Sequence, residues 1–177
     1  AISGSAQAGN WQATLAGREL VGEMTWRPQG KGRVTARMKN LNIPAALAKP
    51  NATPAPATAK EEPFELPALE IFADHFQVND KSLGKLELTA VPDGRDWRLE
   101  RLRVINPDSI LNIEGFWQGW LTQPRTMVNV KLDVSDIGKL LIRLGYPEGV
   151  RRGTAKLEGP LSWAGSPADL NYETLSG

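Results

Sequence analysis

The chain has no cysteine and a single histidine, His75. Without thiols there is no disulfide framework and no thiolate metal site. That lack suits cytosol and periplasm alike. One histidine leaves few ways to assemble a metal centre or a base–nucleophile pair. His75, between Asp74 and Phe76 in a strand pattern, therefore reads as a structural or surface residue. No apolar run approaches the roughly 18 residues of a membrane helix, and Ala1-Ile2-Ser3-Gly4 lacks the form of a secretory signal. The pattern also breaks off in Leu170–Gly177 as another strand begins, so the expectation is a cytosolic protein or an excised, processed piece. Charge of one sign is not in excess either: 21 basic and 20 acidic residues leave a net charge of +1. They are mixed along the chain, which argues against nucleic acid or a polybasic membrane surface as partner. No phosphate loop is present, because the glycines of Gly145–Gly153 follow a helix instead of leading into one. Glu87, Asp133 and Glu158 alternate with apolar neighbours as solvated positions do, and nothing marks a carboxylate pair for glycoside chemistry. The expectation is a protein that is not an enzyme and uses no cofactor.

What the sequence does have is repetition. From about Leu69 to Trp163, strips alternating apolar and polar residues follow one another with short polar turns between them. Leu86, Leu88 and Ala90 oppose Lys85, Glu87 and Thr89. Val128, Val130, Leu132 and Val134 oppose Asn129, Lys131 and Asp133. Ala155, Leu157, Leu161 and Trp163 oppose Thr154, Lys156 and Glu158. Side chains on a strand alternate between faces, so each strip has one dry and one wet side. Strips joined by short turns form an antiparallel sheet whose dry face must be covered by something.

Residues 1–43 carry the same pattern, read as three strands over Asn10–Ala16, Glu19–Arg27 and Lys31–Ile43, with Pro28-Gln29-Gly30 as a turn. Residues 44–67 break it. Pro50, Pro54, Pro56 and Pro63 interrupt an Ala/Thr-rich stretch that buries too little to offset its ordering entropy. It is expected to be an exposed, disordered loop inserted in one sheet, with a domain linker as the other reading. Residues 68–177 resume the strands: Leu69–Val78, Ser82–Val91, Trp97–Ile105 and Ser109–Gly119, followed by the strips at Val128 and Ala155. Within Trp97–Ile105 the apolar phase slips from Trp97 and Leu99 to Leu102 and Val104, the mark of a β-bulge. In Ser109–Gly119, Leu111, Ile113 and Trp117 share one phase, and Ile110 and Phe116 the other. This strand is expected to be buried on both faces.

One helix is expected over Asp136–Leu144, with Ser135 as its cap. Ile137, Leu140, Leu141 and Leu144 form its apolar stripe, Asp136 and Arg143 suit its dipole, and Gly145 and Pro147 stop it. It is placed across the dry face or at one end of it, as a possible lid. The six tryptophans are expected in the core or at a rim; a carbohydrate platform would need them exposed.

Several segments resemble, in order, the AsmA-like superfamily, specifically its YhdP branch. They are Leu66-Pro67-Ala68-Leu69, Leu83-Gly84-Lys85-Leu86-Glu87-Leu88 and Trp97-Arg98-Leu99-Glu100-Arg101-Leu102. Asn106-Pro107-Asp108-Ser109 with Gly115-Phe116-Trp117, and Leu144-Gly145-Tyr146-Pro147, come next. Gly159-Pro160-Leu161-Ser162-Trp163 with Gly165-Ser166-Pro167 closes the series. The resemblance covers Phe64–Gly177, and the first sixty residues match in style only. It implies a periplasmic segment of an inner-membrane-anchored bacterial protein, with no catalytic motif. The fold would be a mainly β, elongated, twisted antiparallel meander curled into a groove. Its implied task is carrying phospholipid between the inner and outer membranes. Expected partners are phospholipid or acyl chains, the remainder of the longer chain, and other envelope proteins. The groove residues would be Leu86, Leu88, Val128, Val130, Leu132, Leu157 and Leu161. The alternatives are an envelope scaffold whose dry face is an ordinary core, and a carbohydrate-binding β domain.

Overall fold

A computed structural model describes residues 2–7, 9–17, 20–43, 66–146, 152–167 and 173–177. Ten strands and one helix follow in chain order: β1 Ile2–Gln7, β2 Asn10–Ala16, β3 Leu20–Arg27, β4 Arg33–Ile43, β5 Ala68–Val78, β6 Lys81–Asp93, β7 Asp96–Asn106, β8 Ser109–Gln118, β9 Arg125–Val134, α1 Ile137–Arg143 and β10 Ala155–Ala164. All ten strands pair in sequence order in one open sheet. The first forty residues thus hold four strands instead of three, since Ile2–Gln7 pairs with Asn10–Leu15.

Every neighbouring pair is antiparallel except β4 and β5, which run in parallel from Arg33↔Ala68 to Ile43↔Val78. This departs from a pure meander. Ile43 and Ala68 stand at opposite ends of the sheet, so the chain between them returns from one end to the other. The loop expected over residues 44–67 lies outside the described residues apart from Leu66 and Pro67.

The phase slip in β7 is a register shift between Leu99 and Leu102, and further shifts occur at Val21/Gly22, Ala73/Phe76 and Thr89/Ala90. Registers carry one face across the sheet. Trp11, Ala13 and Leu15 lie beside Trp26, Met24 and Gly22, and these lie beside Val34, Ala36 and Met38. The same face continues through Leu69, Ile71 and Ala73, then Ala90, Leu88 and Leu86. It goes on through Leu99, Leu102 and Val104 to Ile113 and Leu111, and ends on Val128, Val130 and Leu132 beside Leu161, Gly159 and Leu157.

Fourteen of the fifteen buried apolar residues among those described lie on this face, Ala68 being the exception. The other face carries charge, including the cross-strand pairs Lys131–Glu158 and Lys156–Asp133. It also holds Ile110 and Phe116, the latter 38% exposed. β8 is therefore not buried on both faces: the sheet is a single layer, and nothing packs on its charged side among the described residues.

Burial below a tenth on a single layer requires bending, because a flat sheet leaves its side chains open from above. Glycine shows where the sheet bends. A Cβ on Gly115 would stand 2.1 Å from the Met127 carbonyl oxygen and 2.6 Å from the Val128 Cα. A Cβ on Gly84, at φ +103°, would stand 2.1 Å from the Ile105 oxygen. Both glycines lie on the apolar face, where the neighbouring strand leans over them. The apolar face is the inner face.

Candidate functional site: the inner face and its two ends

The seven groove residues expected from the sequence all lie on the inner face. Leu86 and Leu88 come from β6, Val128, Val130 and Leu132 from β9, and Leu157 and Leu161 from β10. They differ in access. Leu86, Val128 and Val130 are 7–9% exposed and already covered by protein. Leu88, Leu132 and Leu161 are half-buried, and Leu157 is 60% exposed. The first three form the floor; the others present apolar surface. The floor divides into a cluster around Ala36, Met38, Ala73, Phe76, Leu86 and Val104, another around Ala90, Trp97, Leu99 and Trp117, and a third of Val128, Val130 and Trp163.

The helix stands at one end of the sheet. Its N-cap is Asp136 rather than Ser135: the Asp136 carboxylate accepts the Lys139 N–H at 3.1 Å. That bond and the Lys139 charge hold this carboxyl below its ordinary range. Ser135 instead donates to the Asp108 carbonyl. Gly145, at φ +89°, donates to Ile142 while Tyr146 donates to Leu141, a Schellman closure. Arg143 ties the helix down, donating from Nη2 and Nε to one Asp108 oxygen at 2.7 and 3.1 Å. Its Nη1 reaches the Ser82 carbonyl, and Lys81 donates to the Leu144 carbonyl. Asp108 is buried in the β7–β8 turn, a turn built by Asn106, whose Oδ1 accepts the Asp108 and Ser109 amides. Ile137, Leu140, Leu141 and Leu144 are half-buried there.

The opposite end is aromatic. Trp11 and Trp26 are paired neighbours on β2 and β3. Trp97, Trp117 and Trp163 align across β7, β8, β9 and β10, with Thr126 between the last two. All five lie on the inner face, and Trp120 follows just beyond β8. Trp97, Trp117 and Trp163 are buried, whereas Trp11 and Trp120 are 62% and 43% exposed. The indole N–H groups of Trp97 and Trp163 donate to the carbonyls of Pro67 and Ser166. Sequence reasoning anticipated a rim or core role but not this alignment, which only the register between distant strands creates.

His75 is exposed on β5, and no three of its kind with Asp or Glu gather among the described residues. No described helix is long and apolar enough to cross a membrane.

The family model described as YhdP protein matches residues 1–177. The chain belongs to the YhdP family, a bacterial envelope family associated with lipid transport. The match takes in the first sixty residues as well. No curated protein and no solved structure matches the chain.

Proposed function

We propose that the inner face carries the acyl chains of phospholipid and that this chain is a non-enzymatic, periplasmic segment of a conduit between the inner and outer membranes. The observation that supports this best is one uninterrupted apolar face crossing the sheet, bent inward, with no second layer over it among the described residues. Apolar area left in water costs about 25 cal/mol per Å². Acyl chains relieve that cost and make no demand for hydrogen bonds. An unpaired charge on such a face would lose its hydration without compensation, and the cross-strand ion pairs of β9 and β10 keep to the other side.

Native mass spectrometry of protein purified from cells tests the reading directly, with co-purifying phospholipid expected. Photo-crosslinkers at positions 88, 132 and 157 should capture lipid, and one at Lys131, on the charged face beside Glu158, should not. Val130→Asp alone is ambiguous, because Val130 is 9% exposed and a carboxylate there also destabilises the fold. Leu157→Asp separates the two effects: it should keep the melting temperature and lose the lipid. A lipid-free, stable monomer with no capture at any of these positions would refute the conduit. It would leave the runner-up, an envelope scaffold whose inner face is sealed by its own side chains.

A further inference from the structure

The two ends of the inner face differ in kind, and that difference bears on how a lipid would lie on it. All six tryptophans stand at one end, and the helix stands at the other. Indole has a large apolar body and one polar N–H, so it settles where apolar and polar environments meet, as in the belts at membrane–water boundaries. Among these indoles lies a recess of about 300 Å³, whose lining includes Leu66, Trp97, Trp117, Trp120, Arg95 and Asp96. Trp97 and Trp117 belong to a buried cluster of the inner face and Leu66 packs against it, so the recess opens from that face onto the β6–β7 turn. Arg95 lies over the Trp120 ring, 4.6 Å from its centroid. Lys31 donates to the Gly94 carbonyl. Asp96 accepts the Trp120 and Gln118 side-chain N–H groups, and Asp93, its register partner on β6, pairs with Arg98 at 3.1 Å.

Resting on the acyl-chain reading above, we infer that the tryptophan end is the polar end of the bound lipid. The phosphate of a phospholipid sits by Arg95, its glycerol region lies among the indoles, and its chains run over the inner face toward the helix end. A guanidinium held on an aromatic ring keeps its charge and its outward N–H donors, which suits a phosphate oxygen.

Because every tryptophan stands at this end, intrinsic fluorescence reports the lipid's direction without any substitution. The probes are phosphatidylglycerols brominated either next to the ester carbonyls or near the chain methyl, with occupancy measured separately by native mass spectrometry. At equal occupancy, bromine near the carbonyls should quench at least about twice as strongly. Equal quenching, stronger quenching by the methyl-end bromine, or bound lipid with no quenching would each overturn the inference and leave the acyl-chain reading standing. Absence of any bound lipid overturns both. Arg95→Glu, on an exposed turn, should weaken retention of phosphatidylglycerol about tenfold relative to diacylglycerol, which lacks the phosphate. Parallel losses for the two lipids would remove Arg95 from the proposal.

Discussion

Two glycines on the inner face give a controlled test of the inward bend. Gly115 on β8 lies beside Val128 of β9, and Gly159 on β10 lies beside Val130 of the same strand. Alanine at 115 places a methyl group 2.1 Å from the Met127 carbonyl oxygen and 2.6 Å from the Val128 Cα. Both obstacles are backbone, so relief requires β8 and β9 to part. Overpacking costs about 1–3 kcal/mol, and a backbone clash belongs at the upper end of that range. For a chain of 177 residues, about 3 kcal/mol lowers the melting temperature by roughly 6–12 °C. Alanine at 159 meets nothing within 4 Å and restricts the unfolded chain, a stabilisation of about 0.4–1 kcal/mol. Gly115→Ala should therefore melt well below the wild type and Gly159→Ala slightly above it, followed by circular dichroism at 218 nm. If Gly115→Ala melts with the wild type, β9 does not lean over β8 and the argument for a concave inner face collapses.

Asp108→Ala leaves Arg143, 25% exposed, without the carboxylate that anchors the helix. About 3 kcal/mol is expected for breaking a largely buried pair, read as a denaturation midpoint, with Arg143→Lys losing part of it because one ammonium cannot make both contacts. Leu140→Ala and Leu141→Ala should cost about 1 kcal/mol each instead of the 2–5 of a filled core site, since both are half-buried. A larger loss for either would mean that the helix seals a core. Asp136→Asn should keep the cap, as both residues serve there. Asp136→Ala should lower helix protection in hydrogen exchange, the more so above about pH 4, where the depressed carboxyl is charged.

Strand existence was legible because a sheet with one wet face imposes period-two alternation, and the bulge in β7 was legible because it breaks that phase within a single strand. The two-sided reading of β8 failed for a physical reason: Ile110 and Phe116 are apolar residues that one layer simply leaves facing water. A cap was legible, but the choice between Ser135 and Asp136 was not. Asp108 competes for the Ser135 hydroxyl from 27 positions away. Sharing of a face by Leu86, Val130 and Leu157 follows from alternation once the register is given. Their unequal burial follows only from the bend, and no local pattern encodes it.

The parallel pair also decides which end each tryptophan occupies. Had β5 returned from Ile43 as a hairpin, every later strand would be reversed, and Trp97, Trp117 and Trp163 would stand at the end opposite Trp11 and Trp26. One long connection therefore unites both groups at a single end. Its length sets a limit that can be tested. Ile43 and Ala68 are offset by ten residues of strand register, about 33 Å at 3.3 Å per residue. Replacing residues 48–62 with six Gly/Ser residues leaves about fifteen to cross it, a reach of roughly 50 Å, and the melting temperature should stay within about 2 °C. Replacing residues 44–65 with four Gly/Ser residues leaves about six, a reach of roughly 20 Å. The parallel pairing of β4 with β5 then cannot form, residues 2–43 should lose protection in hydrogen exchange, and residues 68–164 should keep theirs. If the shorter variant retains both its protection and its melting temperature, β4 does not pair with β5 in this direction, and the common tryptophan end disappears with it.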